Sequence, residues 1–108
     1  MTVGLGAGAV VKKRGQGRFS LGGILSFLTV PDLLAETETL FEESGDVLVD
    51  LSEVIKSDSA GVALLVEWMN EAQRQNQDIQ FLDIPSQMLG LVRVSGLDQV
   101  LPLHRGLP

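Results

Sequence analysis

Val47-Leu-Val-Asp-Leu-Ser-Glu-Val-Ile-Lys-Ser-Asp-Ser-Ala-Gly-Val-Ala-Leu-Leu-Val-Glu-Trp68 decides how this chain is read, because a strand pattern turns into a helix pattern inside it. Val47 to Leu51 is a short apolar run rich in β-branched residues, as a strand covered on both faces requires. Beyond it, Val62, Leu65, Val66 and Met69 recur at the spacing of one helical face. The polar residues between predict a turn ending in Asp58-Ser59-Ala60-Gly61, with Ser59 as N-cap. A serine oxygen there accepts a hydrogen bond from a backbone N–H that the first helical turn leaves unpaired. Asp50, at the end of the strand, is expected to accept backbone N–H bonds within that turn.

Moving outward towards the N-terminus, Leu33, Leu34, Leu40 and Phe41 predict a helix from Val30 or Pro31 to about Glu43. Pro31 suits its first turn, Asp32 complements its dipole, and Ser44-Gly45 ends it. Ala9 to Lys13 and Arg18 to Leu21 read as two strands of a hairpin around Gly15-Gln16-Gly17, with Gly22-Gly23 breaking the second. The glycine-rich residues 1–8 predict a flexible lead-in to a domain spanning 9–108. Towards the C-terminus the helix begun at Ser59 runs to about Gln75, and a strand follows over Ile79 to Ile84. A short helix from Pro85-Ser86 reaches about Val94, and Val100-Leu101 forms a last strand. Alternating helices and strands after a hairpin imply an α/β sheet with right-handed parallel crossovers.

A length of 108 residues fits one domain. With no cysteine there is no disulfide and no thiolate metal site, which suits a reducing compartment. The net charge is −6, yet Lys12, Lys13, Arg14 and Arg18 precede the first acid, so the remainder sets four basic against fourteen acidic side chains. An acidic body of this kind repels nucleic acid phosphates and anionic headgroups. No apolar run approaches the roughly 18 residues of a membrane span, so direct membrane insertion is not expected. The apolar start precedes its cations, the reverse of a secretory signal.

Catalysis finds little support. The single histidine, His104, stands near the C-terminus, reads as a solvated tail residue, and leaves Ser59 without a base. Asp50 and Asp58 are two acids that a phosphotransfer site can use, but Lys56 lies between them and the first strand lacks an acidic pair. No metal-ligand spacing occurs, and neither a metal nor a cofactor is implied. The helix from Ala60 is apolar over much of its circumference, and an uncovered apolar stripe marks a partner site. Ala60, Gly61 and Ala63 beside Ser59 would let another backbone come close, with Glu67, Glu71 and Arg93 as a charged rim.

The Val-Asp-Leu-Ser of 49–52, the Asp-Ser-Ala-Gly of 58–61 and the Val-Ala-Leu-Leu run after it resemble the STAS domain of anti-sigma-factor antagonists and of their relatives in lipid transporters. The resemblance spans about residues 18–103. It implies a single domain with a mixed β-sheet, an N-terminal hairpin and helices mainly on one face. Within the family the chain is most similar to the small STAS subunit of phospholipid ABC transporters, which serve outer-membrane lipid asymmetry. That implies a non-enzymatic accessory subunit in the cytoplasm, held at the inner face of the inner membrane by the transporter's ATPase and permease. In that subgroup the position matching Ser59 lies at the ATPase contact, and together with the small and apolar residues around it the expected partner face comprises Ser57, Asp58, Ser59, Ala60, Gly61, Ala63, Leu64, Glu67, Met88 and Arg93. In antagonists the position of Ser59 is phosphorylated, which implies an alternative: an anti-sigma-factor antagonist whose partner is an anti-sigma kinase.

Overall fold

A computed structural model describes residues 2–5 and 8–104 of the chain. Its elements in order are β1 (Thr2–Leu5), β2 (Ala9–Gly15), β3 (Arg18–Leu25), α1 (Val30–Glu42), β4 (Val47–Ser57), α2 (Ser59–Arg74), β5 (Ile79–Leu82), α3 (Ser86–Val94) and β6 (Leu103–His104). The six strands lie in one sheet in sequence order. β1, β2 and β3 form an antiparallel meander, and β3 to β6 are mutually parallel. Because each parallel step advances the same way across the sheet, right-handed crossovers put α1, α2 and α3 on one face. The α/β architecture with helices on one face is thus as expected.

The core fills the space between that face and the helices. Phe19, Leu21, Val49, Leu51 and Phe81 point up from the strands. Leu33, Leu64, Leu65, Met88 and Val92 come down from the helices, all within 2% of complete burial. Phe41 links Phe19 and Trp68, with ring centroids 4.8 and 5.0 Å apart. The Trp68 indole N–H donates to Thr37 Oγ1 at 2.9 Å, and that hydroxyl donates to the Leu33 carbonyl at 2.7 Å. A tryptophan can be buried among apolar groups only when its N–H finds such an acceptor.

Several boundaries differ from those expected. Thr2–Leu5 pairs with β2 where a loose lead-in was anticipated; the rest of that segment, apart from Gly8, lies outside the described residues, as do residues 105–108 of the proposed domain. β3 runs through Gly22-Gly23 to Leu25. Gly23 has φ +88°, and a side chain there would lie 1.8 Å from the Gly8 carbonyl oxygen, so glycine permits the strand to continue instead of ending it. β5 stops at Leu82, followed by Asp83 at φ +54°. The last strand falls at Leu103–His104 rather than Val100–Leu101: the chain from Leu97 turns back on itself, and parallel bonding resumes only where Phe81 N donates to the Pro102 carbonyl at 2.9 Å. His104 is therefore an edge-strand residue, exposed as foreseen.

The largest departure is β4. It extends from Val47 to Ser57, across the segment read as a turn. Against β3 its register slips twice, Ser20 and Gly22 facing Asp50 and Glu53, then Gly23 and Ile24 facing Val54 and Lys56. Each slip inserts one extra β4 residue, a β-bulge. The buried positions shift accordingly, from Val47, Val49 and Leu51 to Val54 and Ser57. Asp50 does not cap the turn before α2; its carboxylate accepts from Ser52 N at 2.8 Å inside the first bulge.

Candidate functional site around Ser59

The site is built where β3 and β4 end and α1 and α2 begin. Asp58, not Ser59, is the N-cap of α2: its backbone is extended and its Oδ1 accepts from Ala60 N at 2.8 Å. Its N–H donates to the Leu25 carbonyl at 3.0 Å, and its Oδ2 receives a longer, 3.4 Å bond from Phe27 N. One aspartate thus ties the end of β3, the loop before α1 and the first turn of α2 together. Aspartate and serine are both good caps, and Asp58 takes the role because its backbone is extended while Ser59 is already helical. Ser59 is displaced one place into the helix, where its exposed hydroxyl has no hydrogen-bond partner among the described residues.

Beneath this corner the chain is closely fitted. A side chain at Gly61 would lie 2.0 Å from Ser57 Oγ and 2.9 Å from Leu25 Cβ, so only glycine lets α2 start this close to β3 and β4. Ser57 is buried, its hydroxyl donating to the Asp58 carbonyl at 2.9 Å. Gln87 of α3 donates to the Ser57 carbonyl and accepts from its N–H, both at 2.8 Å. The amide takes the place of a neighbouring strand where β5 no longer reaches.

Of the ten residues assigned to a partner face, Asp58, Ser59, Ala60, Ala63 and Glu67 reach the surface of the corner and of the α2 turns that follow. Leu64 and Met88 are wholly buried, and Ser57 and Gly61 nearly so; they shape the corner from below and present no surface. The reason is that α2 is the middle of three helices, so α1 and α3 cover the apolar circumference that reads as an excess in the sequence. Arg93 is exposed in the last turn of α3, about 9 Å of helical rise beyond Gln87 and away from the corner.

The exposed apolar surface comes from residues that the helical pattern does not single out. Phe27 is 71% exposed, Leu28 68%, Ile55 76% and Ile24 44%, while Val94 in the last turn of α3 (90%) and Val100 (54%) are exposed elsewhere. Phe27 and Leu28 project from the loop 26–29. There Ser26 N donates to Thr29 Oγ1 at 2.9 Å, Leu28 N to Ser26 Oγ at 3.1 Å, and the Thr29 hydroxyl to the Ile24 carbonyl at 3.0 Å. Ile55 is the extra residue of the second bulge, set beside Ile24. The signal for Phe27 and Leu28 is their place between strand and helix, outside the period of either. For Ile55 the sequence carries none.

Residues 9–103 match the family model described as "Mlab, STAS domain", and the chain belongs to the STAS domain family. Its fold is that of the anti-sigma factor antagonist SpoIIAA. The unphosphorylated form has a TM-score of 0.73 at 16% identity, covering 92% of this chain and 88% of that one. For the phosphorylated form of the Bacillus protein, a cell fate determinant, the TM-score is 0.68 at 17% identity, with coverage of 92% and 91%. An anti-sigma factor antagonist from Mycobacterium paratuberculosis has a TM-score of 0.72 at 19% identity, covering 92% of this chain and 86% of that one. Likeness at such identity shows the fold alone. No curated protein matches the chain in sequence. Among the described residues no helix is long and apolar enough to cross a membrane, and no group of acids and histidine is placed to hold a metal ion.

Proposed function

We propose that the chain is a non-enzymatic accessory subunit that docks through the Ser59 corner onto the ATPase of a phospholipid-transporting ABC transporter. The observation that carries this reading is the company Ser59 keeps. An unbonded hydroxyl on the first turn of α2 follows the Asp58 cap, which also holds the loop carrying exposed Phe27 and Leu28, at the ends of β3 and β4 that carry exposed Ile24 and Ile55, apolar surface a lone domain gains nothing by presenting. The match to an MlaB-type STAS family supports a transporter partner over other classes. Through the ATPase and its permease, the subunit would sit at the inner face of the inner membrane and bias nucleotide hydrolysis that drives lipid traffic serving outer-membrane asymmetry. Co-purification with the cognate ATPase tests this: Phe27→Asp and Ser59→Arg should each abolish it, and retention in both variants would overturn the assignment.

A second reading is supported by the accessibility of the hydroxyl. Ser59 is exposed, and a phosphate on it would meet the positive end of the α2 dipole. On that reading the chain is an anti-sigma-factor antagonist whose partner is an anti-sigma kinase. Intact mass after incubation with candidate kinases and ATP separates the two, since only this reading requires one added phosphate, lost in Ser59→Ala.

A further inference from the structure

A trough runs between α1 and α2 from Val30 and Ala63, next to the Ser59 corner, towards Gln75 and Gln77 at the far end of α2, and shares Ala63 and Glu67 with the corner's face. It encloses about 490 Å³ over a floor that includes Val30, Leu34, Phe41, Trp68 and Ile79. Its walls carry carboxylates in pairs four residues apart, Glu38 and Glu42 on α1, Glu67 and Glu71 on α2. Side chains at that spacing sit one above the other, roughly 5–6 Å apart, so both walls repeat acids at the same pitch. Arg74 bonds to Glu67 at 3.1 Å and also to Glu71. Neither Glu38 nor Glu42 forms an ion pair among the described residues. The Gln75 amide, and then Arg74, hold the Glu71 carboxyl below its usual range, so it keeps its charge.

We propose that this trough receives a basic amphipathic helix from a partner protein. Its apolar stripe would lie on the aromatic floor, and lysine or arginine on both flanks would meet the two acidic walls. A helix carries its own flanking residues at the four-residue pitch of the walls, whereas a small cationic amphiphile meets one wall at one level. Ala35 and Ala63, small and exposed at the lip, leave room for a backbone to approach. α1 spans 13 residues, about 20 Å, which accommodates three to four turns of such a helix.

Trp68 lines the trough and is the chain's only tryptophan, with no tyrosine present, so its emission reports occupancy. The probe is a synthetic leucine–lysine amphipathic peptide without aromatic residues, titrated into the full chain. A second peptide of the same pattern carries glutamate for lysine. The lysine peptide should give a saturable shift and the glutamate peptide none. The pair Glu38→Lys and Glu42→Lys should weaken binding about tenfold or more, since each exposed attraction becomes a repulsion. Asp98→Lys, a like change elsewhere, should alter affinity less than about twofold. Ile55→Asp, a corner substitution outside the trough's lining, should likewise leave it unchanged, so failure at this surface is distinguishable from failure at the corner. Equal binding of the glutamate peptide, indifference to the double reversal, or displacement of the peptide by monomeric dodecyltrimethylammonium would overturn the proposal.

Discussion

From Val47 to Leu51, β4 alternates strictly between buried and half-buried residues, whereas from Ser52 to Ser57 every third residue is buried and the two between are exposed. Both halves are strand, and both pair with β3. The first is ruled by the core: Leu51 is wholly buried, and a side chain that turned outward would leave a void. The second is ruled by two bulges, each of which spends a residue to bend the chain and twist the pairing. Ile55 is forced outward, and the strand arrives at Asp58 positioned to cap α2. One strand can therefore be structural at its start and expose apolar surface at its end, and the bulges draw the border between the two.

Substitutions on either side of that border test it. Leu51→Ala, in the regular half, leaves a cavity in the centre of the core and should cost about 3 kcal/mol in urea unfolding. A cost below about 1 kcal/mol would show that the first half is not where stability resides. Gly61→Val drives a side chain into Ser57 and Leu25 at the border itself; about 2–3 kcal/mol of destabilisation is expected by the same measurement. Asp58→Ala removes the cap that joins the two loops and should lower stability by about 1 kcal/mol, while Ser59→Ala, no longer competing for that role, should change it by less than about 0.5 kcal/mol. Ile55→Asp, in the bulged half, should leave the unfolding free energy within about 0.5 kcal/mol of the parent yet abolish co-purification with the ATPase proposed as its partner. Loss of stability without loss of binding in that last variant would reverse the comparison.

Sequence periodicity located the regular elements because each shows one period and one buried side. α1 starts beside Pro31, α2 ends at the polar tail after Arg74, and α3 occupies the stretch between Pro85 and Ser95. The Asp-Ser-Ala-Gly signature marked the start of α2 for the same local reason: a cap and a small residue are required wherever a helix starts against strand ends. Errors gathered where a residue's role depends on a neighbour distant in sequence. The bulges exist only in register with β3, and Gly22-Gly23 reads as a break until Gly8 is brought against it. Likewise Leu64 and Met88 look like surface anchors until α2 is seen enclosed by α1 and α3.

The chain's own order of residues determined its membership of the STAS family, the order of helices and strands after the first hairpin, and the presence of a serine-bearing turn at the head of α2, since all of these follow from short-range pattern and capping chemistry. Tertiary structure alone decided that Asp58 rather than Ser59 caps that helix, that Phe27, Leu28, Ile24 and Ile55 stay exposed at the ends of β3 and β4 and in the loop before α1, and that Glu38, Glu42, Glu67 and Glu71 line one apolar trough. The reason is geometric: exposure is a property of what packs over a side chain, and that is set by partners tens of residues away whose distance no local period records.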